Sequence, residues 1–133
     1  IEKMSFSHFR NLTRHNFELD FQLIEHIEPE MFYGIDQVRH LYLKDNKLTV
    51  IPNKTFSKLK NLDGLNLINN FIRNIEINAF YGLPNLRELY FDNNLLEYLN
   101  RGVFSTLKNL TILSLSKNRI TKFAKGAFEG LDY

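Results

Sequence analysis

The sequence repeats itself every 24 residues, and this period constrains the fold more than any other feature. Four consecutive segments, which begin at Val38, Leu62, Leu86 and Leu110, share this length without insertion or deletion. Each carries apolar residues at repeat positions 1, 4, 6, 11, 14, 19 and 22, and asparagine at position 9. Agreement at eight positions in four segments does not arise by chance, so the chain is built of repeated structural units.

The same pattern is present upstream in a weaker form. In an earlier repeat at 14–37, Gln22 stands where the later repeats have asparagine. Position 1 of this repeat is Arg14, where the later repeats have an apolar residue. Before it, four residues fit the second half of another repeat: Ile1, Met4, Phe9 and Leu12. We therefore divide the chain into a partial repeat at 1–13 and full repeats at 14–37, 38–61, 62–85, 86–109 and 110–133 of a single solenoid segment.

The spacing within a repeat predicts one short strand. Leu41 and Leu43 flank Tyr42, and this period of two places both leucines on one side of a strand and the tyrosine on the other. A strand this short persists only when neighbours pair with it. A 24-residue coil returns the chain beside its previous strand, which predicts a parallel sheet that grows by one strand per repeat.

Two further columns of identical residues indicate structural roles. An amide side chain can both donate to and accept from backbone groups, so the position-9 asparagines are predicted to form a ladder between successive coils: Asn46, Asn70, Asn94 and Asn118. The position-19 phenylalanines are predicted to stack as a buried spine: Phe32, Phe56, Phe80, Phe104 and Phe128, with Phe9 continuing the column. Neither column is expected to bind a ligand.

The motif LxxLxLxxNxLxxLxxxxFxxL resembles the 24-residue class of leucine-rich repeats, and the match covers nearly the whole chain. The resemblance implies an α/β solenoid, a right-handed superhelix with a parallel sheet on the concave face and loops or short 3₁₀ turns on the convex face. It also implies an extracellular protein, because this class is similar to Toll-type receptor ectodomains, slit-like guidance proteins, matrix proteoglycans and secreted insect immune proteins. Since the sequence begins and ends within a repeat and lacks the family's cysteine-rich caps, we expect it to be the interior of a longer ectodomain.

Three N-x-[ST] sequons agree with an extracellular location. They begin at Asn11, Asn53 and Asn109, and each is a candidate site for N-glycosylation. The expected compartment is therefore the cell surface or the secreted fraction, and the protein is expected to be a glycoprotein.

Composition argues against several other classes of function. The formal net charge of +2 supplies no strongly basic surface, so we expect no nucleic-acid partner. No apolar run approaches the roughly 18 residues that a transmembrane helix needs, so no membrane insertion is expected within this segment. The chain has no cysteine, and its four histidines lack metal-ligand spacing. We therefore expect no metal, no cofactor and no enzymatic activity.

The candidate binding surface is the outward side of the sheet, where repeat positions 2, 3, 5, 7 and 8 differ between repeats. Nothing in the fold requires Tyr42, Tyr90 or Ile68 to be exposed there. Tyrosine and arginine are enriched at interface hot spots because large, rigid side chains gain contact area at low entropic cost. The residues expected to contact a protein partner are Arg39, His40, Tyr42, Lys44, Ile68, Arg87, Glu88, Tyr90 and Asp92.

Several interpretations of this surface remain open. The same residues are compatible with an ordinary solvated strand face, since exposed apolar atoms are common on any protein surface. A lateral edge or the convex loops are alternative places for binding. The leading hypothesis is a protein-recognition segment of an extracellular receptor or a secreted immune protein. The alternative is a structural or adhesive module that acts through self-association, as in a dimer, or through matrix contacts.

Overall fold

The computed structural model describes residues 15–131, so the partial repeat at 1–13, with Phe9 and Asn11, lies outside the described residues. The described part contains nine short strands: β1 (Asn16–Glu18), β2 (His40–Tyr42), β3 (Val50–Ile51), β4 (Gly64–Asn66), β5 (Asn74–Ile75), β6 (Glu88–Tyr90), β7 (Tyr98–Leu99), β8 (Ile112–Ser114) and β9 (Lys122–Phe123). One 3₁₀ helix, Pro29–Phe32, is the only helix within these residues.

Five of the strands form one parallel sheet in the order β1-β2-β4-β6-β8. Neighbouring strands pair in a constant register of 24 residues: Leu41 pairs with Leu65, and Leu65 pairs with Leu89. The prediction of a parallel sheet that grows by one strand per repeat is therefore confirmed. The remaining strands form two separate parallel pairs, β3 with β5 and β7 with β9.

Each strand of the main sheet is followed by a turn with left-handed backbone geometry. Repeat position 8 has φ of 56° at Asp45, Asn69 and Asn93. Asparagine and aspartate adopt this conformation more readily than most residues, because their short polar side chains form local hydrogen bonds. The turn directs the chain away from the sheet, which keeps the strands at three residues.

The core lies between the main sheet and the far side of each coil. The inward strand positions Leu41, Leu65 and Leu89 are at most 1% exposed, and the position-6, position-11 and position-14 side chains pack behind them. The predicted solenoid class is confirmed, although its helical component amounts to one 3₁₀ turn in the described residues. The rest of the far side is built of turns, because each coil has few residues left for a helix after its buried positions are filled.

The asparagine ladder is present as predicted. Asn70 accepts a hydrogen bond from the Leu48 N–H (3.1 Å) and donates to the carbonyl oxygens of Leu43 (3.0 Å) and Leu67 (3.1 Å). Asn46, Asn94 and Asn118 repeat the same set of contacts one coil apart. Each amide therefore joins its own coil to the preceding one and satisfies backbone groups that the turn leaves unpaired.

The phenylalanine spine is also present as predicted. Ring centroids of successive spine residues lie 5.7 to 6.4 Å apart from Phe32 to Phe128. Phe91 adds an edge-on contact with Phe80 at 5.9 Å. Phe32, Phe56, Phe80 and Phe104 are buried, whereas Phe128 is 42% exposed. Four of the five described spine residues therefore belong to the core.

No helix among the described residues has the length and apolar character needed to cross a membrane.

Candidate functional site

The outward face of the main sheet is formed by repeat positions 3 and 5, which alternate with the buried position-4 leucines. His40, Tyr42, Glu88 and Tyr90 are all partly exposed on this face, in strands β2 and β6. Strand β4 lies between them and carries Gly64 at position 3, where a side chain would otherwise project. Strand β4 therefore contributes Asn66, at position 5, as its partly exposed side chain on this face.

A depression of about 40 Å³ lies on this face, and we name it the tyrosine notch. Its lining residues are His40, Leu41, Tyr42, Gly64, Leu65, Asn66, Glu88 and Tyr90. Gly64 is buried, and a Cβ atom there would lie 2.8 Å from Cδ2 of His40, so the His40 ring packs against this position. On one wall, the rings of His40 and Tyr42 are stacked, with centroids 6.5 Å apart. The missing side chain of Gly64 thus makes room for the His40 ring against strand β4.

The opposite wall of the notch has a negative electrostatic character. The Tyr90 hydroxyl donates to Oε2 of Glu88 at 3.2 Å. Burial of the phenol raises the pKa of Tyr90 above its usual value, and the negative charges of Glu88 and Asp92 raise this pKa further. The neutral phenol is therefore favoured over phenolate, and a cation beside these groups would be stabilised.

The position-7 residues lie beyond the notch, at the ends of the strands. Oδ1 of Asp92 accepts from the Ser114 hydroxyl at 2.6 Å and from the Ser116 N–H at 3.2 Å. Asp20 accepts similarly from the Lys44 N–H at 2.7 Å, and burial raises the pKa of the Asp20 carboxyl. Lys44 pairs with Asp45 at 3.8 Å. The Asp92 side chain and the Lys44 backbone, both expected to lie at a partner interface, thus form hydrogen bonds between adjacent coils.

Position 8 does not belong to the sheet face, contrary to the sequence interpretation. Its residues occupy the left-handed turn, where Asn93 donates to Oδ1 of Asn69 at 2.7 Å and Asn69 donates to Oδ1 of Asp45 at 2.9 Å. These contacts form a polar ladder along the edge of the solenoid. The residues are therefore placed by the turn geometry and by contacts with adjacent coils.

Arg39 and Arg87 lie apart from the tyrosines. They line a polar cleft of about 330 Å³ before the start of the strands, together with Asn61, Asp63, Asn85 and Asn109. Nε of Arg87 lies 3.7 Å from Oδ1 of Asp63, a buried atom that accepts no hydrogen bond from the described residues. The nine expected contact residues therefore divide into a notch, a strand-end row and this lateral cleft.

Sequence reasoning missed a second amide ladder in the same cleft. Asn61, Asn85 and Asn109 occupy repeat position 24 and donate to carbonyl oxygens of the preceding coil at 3.0, 3.0 and 2.7 Å. The signal was available, because asparagine recurs at position 24 of three consecutive repeats. These residues support the loop that leads into each strand.

Two of the three sequons fall on described residues. Asn53 and Asn109 are both exposed. Oδ1 of Asn53 accepts from the Asn78 N–H at 2.9 Å. This contact uses the amide oxygen and not Nδ2, the atom to which an N-linked glycan is attached. Nδ2 of Asn109 donates to the Pro84 carbonyl oxygen at 2.7 Å. Between residues 15 and 131 there is no cluster of three or more His, Asp or Glu side chains suited to a metal ion.

Comparison with known proteins places this geometry in a family. The profile described as leucine rich repeat matches residues 15–70, 36–96, 61–120 and 88–132. A search of curated protein sequences finds no match. Among solved structures, the crystal structure of a TLR13-ssRNA13 complex is similar, with a TM-score of 0.78 and 36% sequence identity. The similarity covers 80% of this chain and 15% of that chain, so this chain spans a small part of its structural neighbour.

Proposed function

The chain belongs to the leucine rich repeat family, and on that premise we propose that its sheet face binds a protein partner, with Tyr42 and Tyr90 as the anchoring residues. The notch between these two side chains is the observation that carries the proposal. Both residues are partly exposed, and in the register of the sheet Asn66 of strand β4 lies between them. A partly desolvated pair of rigid aromatic side chains around a depression has the character of an interface hot spot.

The expected result of Tyr42→Ala together with Tyr90→Ala is the loss of roughly tenfold or more in affinity for the partner, since hot-spot side chains contribute more than about 1.4 kcal/mol. The measurement is capture from a panel of secreted and cell-surface proteins on the immobilised chain, followed by titration of each protein retained. The mutations remove contact area without creating a cavity in the core.

A matched control exists on the other side of the molecule. Tyr33 and Tyr81 are also 48 residues apart, and they are 44% and 52% exposed. Replacing both with alanine makes the same chemical change away from the sheet face, so affinity should stay within twofold. Retention of every captured protein by the Tyr42/Tyr90 variant would refute sheet-face binding.

We propose further that the protein is a glycosylated extracellular receptor segment or secreted immune protein. The similarity to TLR13 and the exposure of Asn53 and Asn109 support this location. Expression through a eukaryotic secretory pathway should add glycan mass at one or both sites, which peptide mass spectrometry detects. A secreted product with neither asparagine modified would contradict the glycoprotein assignment.

Single-stranded RNA is a second candidate ligand. The solved TLR13 structure is, by its title, a complex with ssRNA13. The expectation that this chain has no nucleic-acid partner is therefore without support from its structural neighbour. Titration with a single-stranded RNA oligonucleotide at two salt concentrations tests this candidate, because binding through phosphates weakens steeply as salt rises.

A structural or adhesive role through self-association is the alternative function. Phe71 and Ile77 favour it, since they are 51% and 54% exposed although a coil lies on each side of their repeat. Exposed apolar side chains are suited to contact with another apolar surface. Light scattering distinguishes the two functions: a dimer that Ile77→Ser converts to a monomer would support self-association.

A further inference from the structure

We propose that the tyrosine notch is a binding site for the cationic end of a lysine or arginine side chain supplied by the protein partner. The proposal rests on the sheet-face function above and names the chemistry that the face recognises. Aromatic rings attract a cation placed over their faces, and a carboxylate beside them adds a charge-assisted hydrogen bond. Tyr42, Tyr90 and Glu88 supply these groups in one depression.

The charges around the notch favour a cation. Glu88 is the only acidic residue in the described lining, which contains no lysine or arginine. One oxygen of Glu88 accepts from the Tyr90 hydroxyl, and the other accepts no hydrogen bond from a described residue. The nearby cations are directed to other partners, Lys44 to Asp45 and Arg87 to Asp63. The pKa of Tyr90 is raised first by burial of the phenol and then by the negative charges of Glu88 and Asp92, which act at this same wall.

The size of the notch also selects its occupant. Its volume of about 40 Å³ accommodates roughly three water-sized groups. An ammonium or guanidinium group has one to four heavy atoms and fits this space, whereas a nucleobase has about twice as many as a guanidinium. A phosphate would meet the Glu88 carboxylate, which repels it. The notch therefore favours a basic protein side chain over RNA.

The test is a nuclear magnetic resonance titration of the whole chain with blocked amino acids. The cationic probes are Nα-acetyl-lysine methylamide and Nα-acetyl-arginine methylamide, and the neutral probe of similar length is Nα-acetyl-norleucine methylamide. Both cationic probes should produce saturable shifts of the Tyr42 and Tyr90 ring resonances and of the Gly64 amide. The neutral probe should leave these resonances in place.

Variants separate the notch from general surface charge. Glu88→Gln keeps the shape and removes the charge, so the affinity for the cationic probes should fall roughly three- to tenfold. Glu97→Gln removes the same charge from an exposed position outside the notch and should leave the affinity unchanged. Gly64→Ala should also reduce binding, because its Cβ takes space beside the His40 ring.

Several results would overturn the proposal. Equal shifts with the neutral probe, or equal losses for Glu88→Gln and Glu97→Gln, would show that the cation is not recognised by the notch. Shifts of the same resonances by a single-stranded RNA oligonucleotide, strengthened by Glu88→Gln, would assign the notch to RNA. Loss of the captured partner in the Tyr42/Tyr90 variant without any probe binding would retain the sheet-face function and reject a basic side chain as its ligand.

Discussion

Replacing Phe80 with alanine is expected to lower the free energy of unfolding by about 3–5 kcal/mol. The ring is 1% exposed and contacts three other rings, those of Phe56, Phe91 and Phe104, at centroid distances of 6.4, 5.9 and 6.0 Å. Truncation therefore removes buried apolar area and leaves a cavity whose walls are held by adjacent coils. Each of those coils pairs with its neighbours through the sheet, so little collapse into the cavity is expected.

The measurement is chemical denaturation followed by circular dichroism, with Phe71→Ala as the matched control. Phe71 is 51% exposed, so the same chemical change should lower the free energy of unfolding by no more than about 1 kcal/mol. If the denaturation midpoint of Phe80→Ala moved no further than that of Phe71→Ala, the spine would not be core.

Replacing Asn94 with alanine is expected to cost at least about 3 kcal/mol, although the side chain is polar. Its carbonyl oxygen accepts from the Ile72 N–H at 3.0 Å, and its amide donates to the carbonyl oxygens of Leu67 and Phe91 at 2.9 and 3.0 Å. Asn94 is 2% exposed, so water cannot readily replace these bonds. Several buried backbone groups would lose a partner at once, and each costs about 1–3 kcal/mol.

Asn118 provides the matched comparison for this prediction. It makes the equivalent contacts with Leu96, Phe91 and Leu115, but it is only partly buried. Water can therefore satisfy some of the groups that Asn118→Ala leaves unpaired, and its loss of stability should be clearly smaller than that of Asn94→Ala. Equal losses in the free energy of unfolding, measured with the same denaturant, would mean that burial does not determine how much each amide contributes to stability.

The fold was predictable from the sequence because every buried column recurs at a fixed spacing. The apolar residues that flank Tyr42 and Tyr90 define the strands, and the asparagine and phenylalanine columns define how coils join. The left-handed turn at position 8 was not predicted, because its occupants include Phe21, Asp45 and Lys117 as well as asparagine. A backbone conformation shared by unlike side chains leaves no repeated residue to recognise.

The candidate site was predictable only in outline. The outward rows of Tyr42 and Tyr90 follow from the period of two, and their separation follows from the repeat length. The notch does not follow, because its shape depends on how the His40 ring packs against Gly64 and how the Tyr90 hydroxyl bonds to Glu88. Arg39 and Arg87 precede the strands and face a separate cleft. Their repeat position predicted that the two arginines lie one above the other, but the side of the solenoid that they face depends on the local backbone turn.

The repeat thus accounts for the scaffold, and we propose that the positions that vary between repeats account for recognition. The side chains of the asparagine and phenylalanine columns contact other parts of the solenoid. The sheet face differs in this respect, because Tyr42, Glu88 and Tyr90 have surface that no other part of the described chain covers. A scaffold of this kind serves many partners by changing only such positions.

Hydrogen exchange of the chain with and without a captured protein partner tests sheet-face recognition most directly. The account predicts slower amide exchange in segments 40–44, 64–68 and 88–92, which contain the notch and the adjoining strand ends. Segments 29–33, 54–60 and 77–84, on the far side of the coils, should exchange at the same rate in both states. Protection confined to those far-side segments, with the three strand segments unchanged, would contradict binding through the sheet.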